Sequence, residues 1–336
     1  MNDATSAATT PPAPRILVIR GGAIGDFILT LPAIALLREN FPEARLEILG
    51  YPHVAALAVS AGLADSVRAL ESGALARFFI NPRKSPALDP ELSEWLAGFG
   101  QIVSYLYDPD GFFATNLRSA GVRNLLVGPG KIEVGAGEHA VQQLARPLEQ
   151  LALFLENDAL GIKLGLDGAD AAAFSEAMPG NPDLLVAIHP GSGGGERKNW
   201  PAERWLAVAR RLLESGRGGG LRLLLVGGEA DAAALATLTA GLPPAAFRCA
   251  RNLPLPRLGA LLARCRLFLG HDSGVSHLAA VVGCPSVLLF GPTDPAIWAP
   301  PHRHVRVLRA PGGRLTDLAI DEVAAAAESA LADFPR

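Results

Sequence analysis

Three glycine-rich turns hold the residues with the most chemical potential. The first reads Gly21-Gly22-Ala23-Ile24-Gly25-Asp26 and follows a short apolar run. A strand, a glycine turn and a helix in succession aim backbone amides at one point, where an anion can sit. The adjacent pair Gly21-Gly22 departs from the G-x-G-x-x-G dinucleotide spacing. Asp26 falls in the first helical turn, where the helix dipole favours a carboxylate. By type and place it is either a catalytic acid–base group or an ordinary helix-start acid. The second turn, from His189 to Trp200, contains Ser192 and Lys198. Its glycines let the backbone approach a phosphate, and the lysine adds a point charge. The alternative is a plain surface loop, since the G-x-x-x-x-G-K-[ST] pattern is absent. The third turn reads Gly270-His271-Asp272-Ser273-Gly274-Val275-Ser276-His277. Amides at Ser273, Gly274 and Val275 can hold a diphosphate, and Asp272 can bond sugar hydroxyls. Asp or Ser there is equally a common N-cap, and His277 equally a buried core histidine.

Alternating strands and helices position these turns. Apolar runs at 15–20, 46–50, 66–70, 101–106 and 123–127 read as strands, with helical patterns at 24–40, 53–61 and 139–157. Gly, Asp, Ala and Pro then accumulate from 160 to 182, and strand patterning stops. Strand runs resume at 184–188, 221–226, 266–269 and 286–290, with helices at 202–215 and 230–240, a short one from 273, and 317–332. Such alternation predicts doubly wound parallel sheets. The expected organisation is a disordered tail (1–14), a first Rossmann-like domain (15–165), a linker (166–182), a second Rossmann-like domain (183–314) and a terminal helix (315–336) that packs back toward the first domain.

Composition narrows the function. The chain has 336 residues, 49% of them apolar, and a net charge of −3. That excludes intrinsic disorder and supplies no basic face for nucleic acid. Cys249, Cys265 and Cys284 form neither a C-x-x-C pair nor an even set, which opposes a disulfide framework or a zinc cluster. No secretory pattern opens the chain, and no apolar stretch of about 18 residues suggests a membrane span. The expected location is the cytoplasm. A G-x-S-x-G elbow and an H-E-x-x-H metal pair are both missing.

Four blocks together resemble glycosyltransferase family 9, which includes the ADP-heptose:lipopolysaccharide heptosyltransferases. They are Ile24-Gly25-Asp26 with Leu29-Thr30-Leu31-Pro32-Ala33; His189-Pro190-Gly191-Ser192 with Lys198-Asn199-Trp200-Pro201; Asp272 to Ala280; and Phe290-Gly291-Pro292-Thr293-Asp294-Pro295. The resemblance implies a GT-B fold, two Rossmann-like domains with parallel sheets facing a central cleft. The N-terminal domain would take the acceptor and the C-terminal domain the nucleotide sugar. It implies an inverting transferase without metal or cofactor, moving a sugar from a nucleotide-diphosphate donor, ADP-heptose above all, to a lipid-linked or lipopolysaccharide-core acceptor. Asp26 becomes the general base. Ser192, Lys198, Asp272, Ser273, Gly274, Val275 and His277 become donor contacts, and Glu229, after Gly227-Gly228, becomes a ribose contact.

Departures from the family pattern bear on the acceptor. Gly21-Gly22-Ala23 stands where small hydroxyl residues are usual, so Gly22 is expected at the acceptor. Arg83 and Arg118 are expected to meet its acidic groups, although the N-terminal basic residues are dispersed. Phe78-Phe79-Ile80 beside Arg83 and Lys84, with Phe112-Phe113 on a second loop, suggests transient peripheral contact with the inner face of the cytoplasmic membrane, with buried core as the competing reading for at least half of these aromatics. The competing readings are a family member with another nucleotide sugar or acceptor, an epimerase or hydrolase on the same fold, and an inactive nucleotide-sugar-binding protein.

Overall fold

The structure, a computed structural model, describes residues 13–84, 87–166, 184–193, 195–215 and 220–334. The expected tail up to residue 12, and the expected linker beyond Leu166, lie outside the described residues.

The first sheet contains β1 (Arg15–Arg20), β2 (Arg45–Gly50), β3 (Ser66–Ala69), β4 (Gln101–Ser104) and β5 (Leu125–Val127), in the order β3-β2-β1-β4-β5. All its pairings are parallel. Between the strands run α1 (Ile24–Asn40), α2 (Pro52–Ser60), α3 (Gly73–Ala76), α4 (Pro90–Ala97) and α5 (Phe112–Ser119), and α6 (Ala140–Ala145) follows β5. The second sheet contains β6 (Leu184–Ile188), β7 (Leu221–Gly227), β8 (Phe247–Arg251), β9 (Leu267–His271), β10 (Ser286–Phe290) and β11 (Val305–Arg309), in the order β11-β10-β9-β6-β7-β8. It too is parallel throughout. Its helices are α7 (Ala202–Ser215), α8 (Ala232–Gly241), α9 (Leu255–Leu262), α10 (Gly274–Val281), α11 (Pro295–Trp298) and α12 (Ile320–Asp333).

The continuous apolar runs are explained by burial on both faces. Along β1, Ile16 and Val18 join one apolar cluster while Leu17 and Ile19 join another. In the second sheet Phe268 and Leu288 face one way, and Leu267, Leu269 and Leu289 the other. The outer faces are covered separately, by α4 and α5 on the first sheet and by α7, α8 and α12 on the second. The inner faces share one cluster, in which Phe27, Ile28 and Leu31 of α1 belong with Leu278 and Val281 of α10. The units are therefore joined through apolar packing of α1 and α10.

Three expectations change. The predicted helix 139–157 is broken: α6 ends at Ala145, and a 3-10 stretch, Arg146–Leu151, follows. Pro147 lacks an amide hydrogen and cannot continue the α-helical ladder. The first unit ends earlier than 165, because the Leu164 amide already bonds the Val281 carbonyl and Leu166 is buried against the second unit. Finally, α12 does not return to the first unit. Its Val323, Ala324, Ala327 and Ala330 pack with the outer face of the second sheet, and Arg211 of α7 pairs with its Asp321 and Glu328.

Candidate active site

The turns after β1, β6 and β9 converge because ligand sites of parallel sheets form beyond the carboxyl ends of strands. The first turn opens α1. Asp26 Oδ2 accepts from the Ala23 amide at 3.1 Å. The side chain keeps 37% exposure, and Arg20, 5% exposed, brings Nη2 to 4.0 Å from Asp26 Oδ1. Burial pulls the Arg20 pKa below its ordinary value, against the opposing influence of Asp26 and Tyr105.

The third turn opens α10. Ser273 is its N-cap, and its Oγ accepts from the Ser276 amide at 3.3 Å. Helix geometry leaves the Gly274 and Val275 amides without intrahelical acceptors. The ordinary cap and the anion-binding end are thus one arrangement. Gly274 must be glycine here, since a Cβ would lie 2.6 Å from Ile24 Cβ and 3.0 Å from the Gly25 nitrogen. The positive ends of α1 and α10 meet at this contact, which favours negative charge beside it.

The second turn is tied to the third. Lys198 Nζ donates to Asp272 Oδ2 at 3.1 Å, and Thr293 Oγ1 donates to the same oxygen at 2.7 Å. Behind them, His271 Nε2 accepts from the Trp200 amide at 2.8 Å, so its Nδ1 carries the proton and donates to the Gly191 carbonyl at 3.1 Å. Burial, opposed mainly by that carbonyl, drives the His271 pKa down to about 4 and keeps the ring neutral. Asp231 Oδ2 accepts from His189 Nε2 at 3.3 Å and from the Gly228 amide at 2.8 Å. Burial raises the Asp231 pKa, but those bonds win and hold it below the usual value. His189 Nδ1 lies 3.4 Å from Ser273 Oγ, which completes a chain that orients the cap hydroxyl.

Two cavities flank the Gly25–Gly274 contact. One, of about 310 Å³, is lined by Asp26 from the first unit and by Lys198, Asp272, His277, Thr293 and Trp298 from the second. Burial pushes the His277 pKa down to about 4, against the nearby Asp272. The other, about 680 Å³, is walled mainly by apolar groups such as Val226, Ala250 and Leu258, with Tyr51, His53 and Glu71 entering from the first unit. Ala23, Ser192, Ser273 and Gly274 border both.

The structure thus brings together Asp26, Ser192, Lys198, Asp272, Ser273, Gly274 and His277, while Gly22 and Val275 line the larger cavity. Glu229 is exposed and lines neither; the acid on that wall is Asp231, two residues on. The loose spacing after Gly227-Gly228 did not separate them, because a 3-10 turn over Glu229–Asp231 decides which one points inward. Arg83 and Arg118 are exposed and line neither cavity. Phe78 and Phe113 are buried core, in line with the competing reading of these aromatics; Phe79 and Ile80 remain exposed, with Phe79 stacked on Phe113 at 4.6 Å. Sequence reasoning missed Arg20, Thr293 and Trp298 as site groups. Thr293 stood inside the Phe290–Pro295 block, read alone as a loop. Among the described residues, no three His, Cys, Asp or Glu side chains stand together as a metal site, and no helix is long and apolar enough to cross a membrane.

Two parallel α/β units facing each other over a cleft make the GT-B architecture of glycosyltransferases. The model of glycosyltransferase family 9 (heptosyltransferase) matches residues 119–324. Lipopolysaccharide heptosyltransferase 1 of Pseudomonas aeruginosa is 27% identical over 304 residues, covering 84% of this chain and 79% of that protein. Lipopolysaccharide heptosyltransferase 3 of Escherichia coli is 24% identical over 303 residues, with 82% and 83% covered. Among solved structures, a family 9 glycosyl transferase from Veillonella parvula aligns with a TM-score of 0.77 at 20% identity, covering 98% of this chain and all of that one (100%). The ADP-heptose lipopolysaccharide heptosyltransferase II of E. coli aligns with a TM-score of 0.72 at 19% identity, covering 95% and 98%. The chain belongs to glycosyltransferase family 9, the heptosyltransferase family, and is a glycosyltransferase.

Proposed function

We propose that the protein transfers heptose from ADP-heptose to a lipopolysaccharide-core acceptor, with inversion and without a metal. The observation that carries this reading is the shared 310 Å³ cavity, where Asp26 of one unit faces Lys198 and Asp272 of the other. The nucleoside occupies the larger apolar cavity, and the diphosphate passes Ser192, Ser273 and Gly274 at the junction. Asp26 removes the proton of the acceptor hydroxyl as that oxygen attacks the anomeric carbon from the opposite face. The bond from the anomeric carbon to the β-phosphate oxygen breaks, and ADP leaves. Lys198 and the amides of Gly274 and Val275 stabilise the charge that grows on the leaving group, where preorganised donors are most effective. Asp272, held by Lys198 and Thr293, orients sugar hydroxyls, and His277 closes the cavity floor as a neutral ring. The relatives named lipopolysaccharide heptosyltransferases support the choice of donor and acceptor.

The donor is tested by thermal shift against ADP-, UDP-, GDP- and dTDP-sugars, since a ligand that binds the native state raises the melting temperature. ADP-heptose is expected to give the largest rise; a larger rise with another base would overturn the choice. The exposed pair Phe79 and Ile80, next to the exposed Arg83 and Lys84, supports peripheral contact with an anionic membrane face at the cytoplasmic side. Co-sedimentation with anionic vesicles should be lost in a Phe79→Ser/Ile80→Ser variant, and no binding by the unaltered protein would end this part of the account.

A further inference from the structure

Behind the proposed base stands a buried cation. Arg20 closes β1 at 5% exposure. Its Nη1 donates to the Tyr105 carbonyl at 3.3 Å and its Nη2 to the Asp26 carbonyl at 3.2 Å. Its Nε finds no hydrogen-bond partner among the described residues. A buried and incompletely satisfied guanidinium is weak evidence for a stabilising role. Arg20 borders neither cavity, yet its Nη2 lies 4.0 Å from Asp26 Oδ1.

That distance is the informative quantity. It exceeds a hydrogen bond, so the Oδ1 lone pairs stay free for a hydroxyl proton. It is also short enough for the guanidinium to place a positive charge directly beside that oxygen. The other oxygen, Oδ2, is fixed by the Ala23 amide. Gly22, at a positive φ of 102°, leaves room for that oxygen, since a Cβ there would lie 3.0 Å from it. Resting on the reading of Asp26 as the base, we propose that Arg20 is a positioning residue: it anchors the Asp26 backbone and holds a fixed positive charge behind Oδ1 without occupying it.

The other groups around Asp26 do not substitute for this charge. Burial raises the Tyr105 pKa and keeps its hydroxyl neutral, and its proton goes to the Leu144 carbonyl. His277 on α10 is neutral above about pH 4. Lys198 is paired with Asp272 across the cavity. His53 and Glu71 line the other cavity.

The test is the pH profile of kcat/KM for the full chain and for Arg20→Met, Arg20→Lys and Asp26→Asn. Arg20→Met is expected to move the acid limb up by about one pH unit with donor KM little changed. Arg20→Lys, which keeps the charge and loses the fork, is expected to return the limb most of the way. If both variants lower activity equally at every pH and leave the limb in place, Arg20 is structural and the inference is overturned. Should Arg20→Met fail to fold, Arg20→Gln takes its place, since it keeps a donor for the buried carbonyls and removes the charge: its limb is expected to move up, and an unmoved limb there overturns the inference. Asp26→Asn separates the two claims: substantial turnover there removes the base itself, whereas loss of turnover with an unmoved limb in the Arg20 variants removes only the role of Arg20.

Discussion

At the scale of single residues, the cavity sets the proposed base, Asp26, and the proposed phosphate anchor, Lys198, on walls from different units, and each should fail differently. Lys198 keeps its ammonium at the cavity through Asp272 and is 32% exposed, so a diphosphate can reach it. Charge-assisted contacts of this kind are worth roughly 1.5–3 kcal/mol. Lys198→Ala is therefore expected to weaken ADP binding by roughly ten- to a hundredfold in calorimetry, and unchanged affinity would exclude it as the phosphate anchor. Much of this was legible from residue type and spacing. Asp26, Lys198 and Asp272 each stood at the end of a strand-to-helix turn. Glu229 stands exposed outside both cavities while Asp231 is buried, a difference set by the phase of a short 3-10 turn that sequence does not give. Arg20 was hidden, since an arginine at the end of an apolar run looks like a solvated strand end.

At the scale of elements, His271 joins the phosphate loop to β9. It accepts from the Trp200 amide and donates to Gly191, which requires one neutral tautomer. Burial holds its folded pKa at about 4, below the ordinary value of 6.5. Such a group contributes stability that is complete above about pH 6.5 and lost as pH falls through about 4, because the unfolded chain then binds the extra proton. The loss for this one residue is up to about 3 kcal/mol. Melting temperatures should decline between pH 6.5 and 4, and less steeply in His271→Gln, which keeps an acceptor for the Trp200 amide but does not titrate. An identical slope in the variant would show that the ring is not the group that titrates. Strands were the most legible elements, because double-sided burial in a parallel sheet demands uninterrupted apolar runs. The helix 139–157 was not, although Pro147 stood inside it. Apolar periodicity persisted across the break, and the short 3-10 stretch kept Pro147 and Leu148 buried.

At the scale of the whole molecule, one apolar cluster runs through both inner faces, and the two helix starts touch at Gly25 and Gly274. The smaller cavity, with walls from both units, adjoins that contact. Gly274→Val inserts a branched side chain where a single Cβ already meets Ile24 at 2.6 Å. We expect it to separate the units, lowering donor affinity and transfer by more than about tenfold while circular dichroism remains unaltered. Normal transfer by this variant would mean that the site does not depend on the contact. The two-unit plan was readable from the restart of alternation after the Gly- and Pro-rich stretch. The destination of α12 was not, because Val323, Ala324, Ala327 and Ala330 mark a buried stripe without saying which sheet it covers.

The most direct test of a site divided between the two units is single-turnover transfer from ADP-heptose by Asp26→Asn, with donor affinity measured alongside. The substitution is nearly isosteric, retains a side-chain acceptor for the Ala23 amide, and removes the base. Transfer should fall by about 10²–10⁴, and ADP-heptose affinity should stay within about twofold, because Lys198 and the Gly274 and Val275 amides proposed to hold the diphosphate are untouched. Near-normal transfer by Asp26→Asn would contradict the account at its centre.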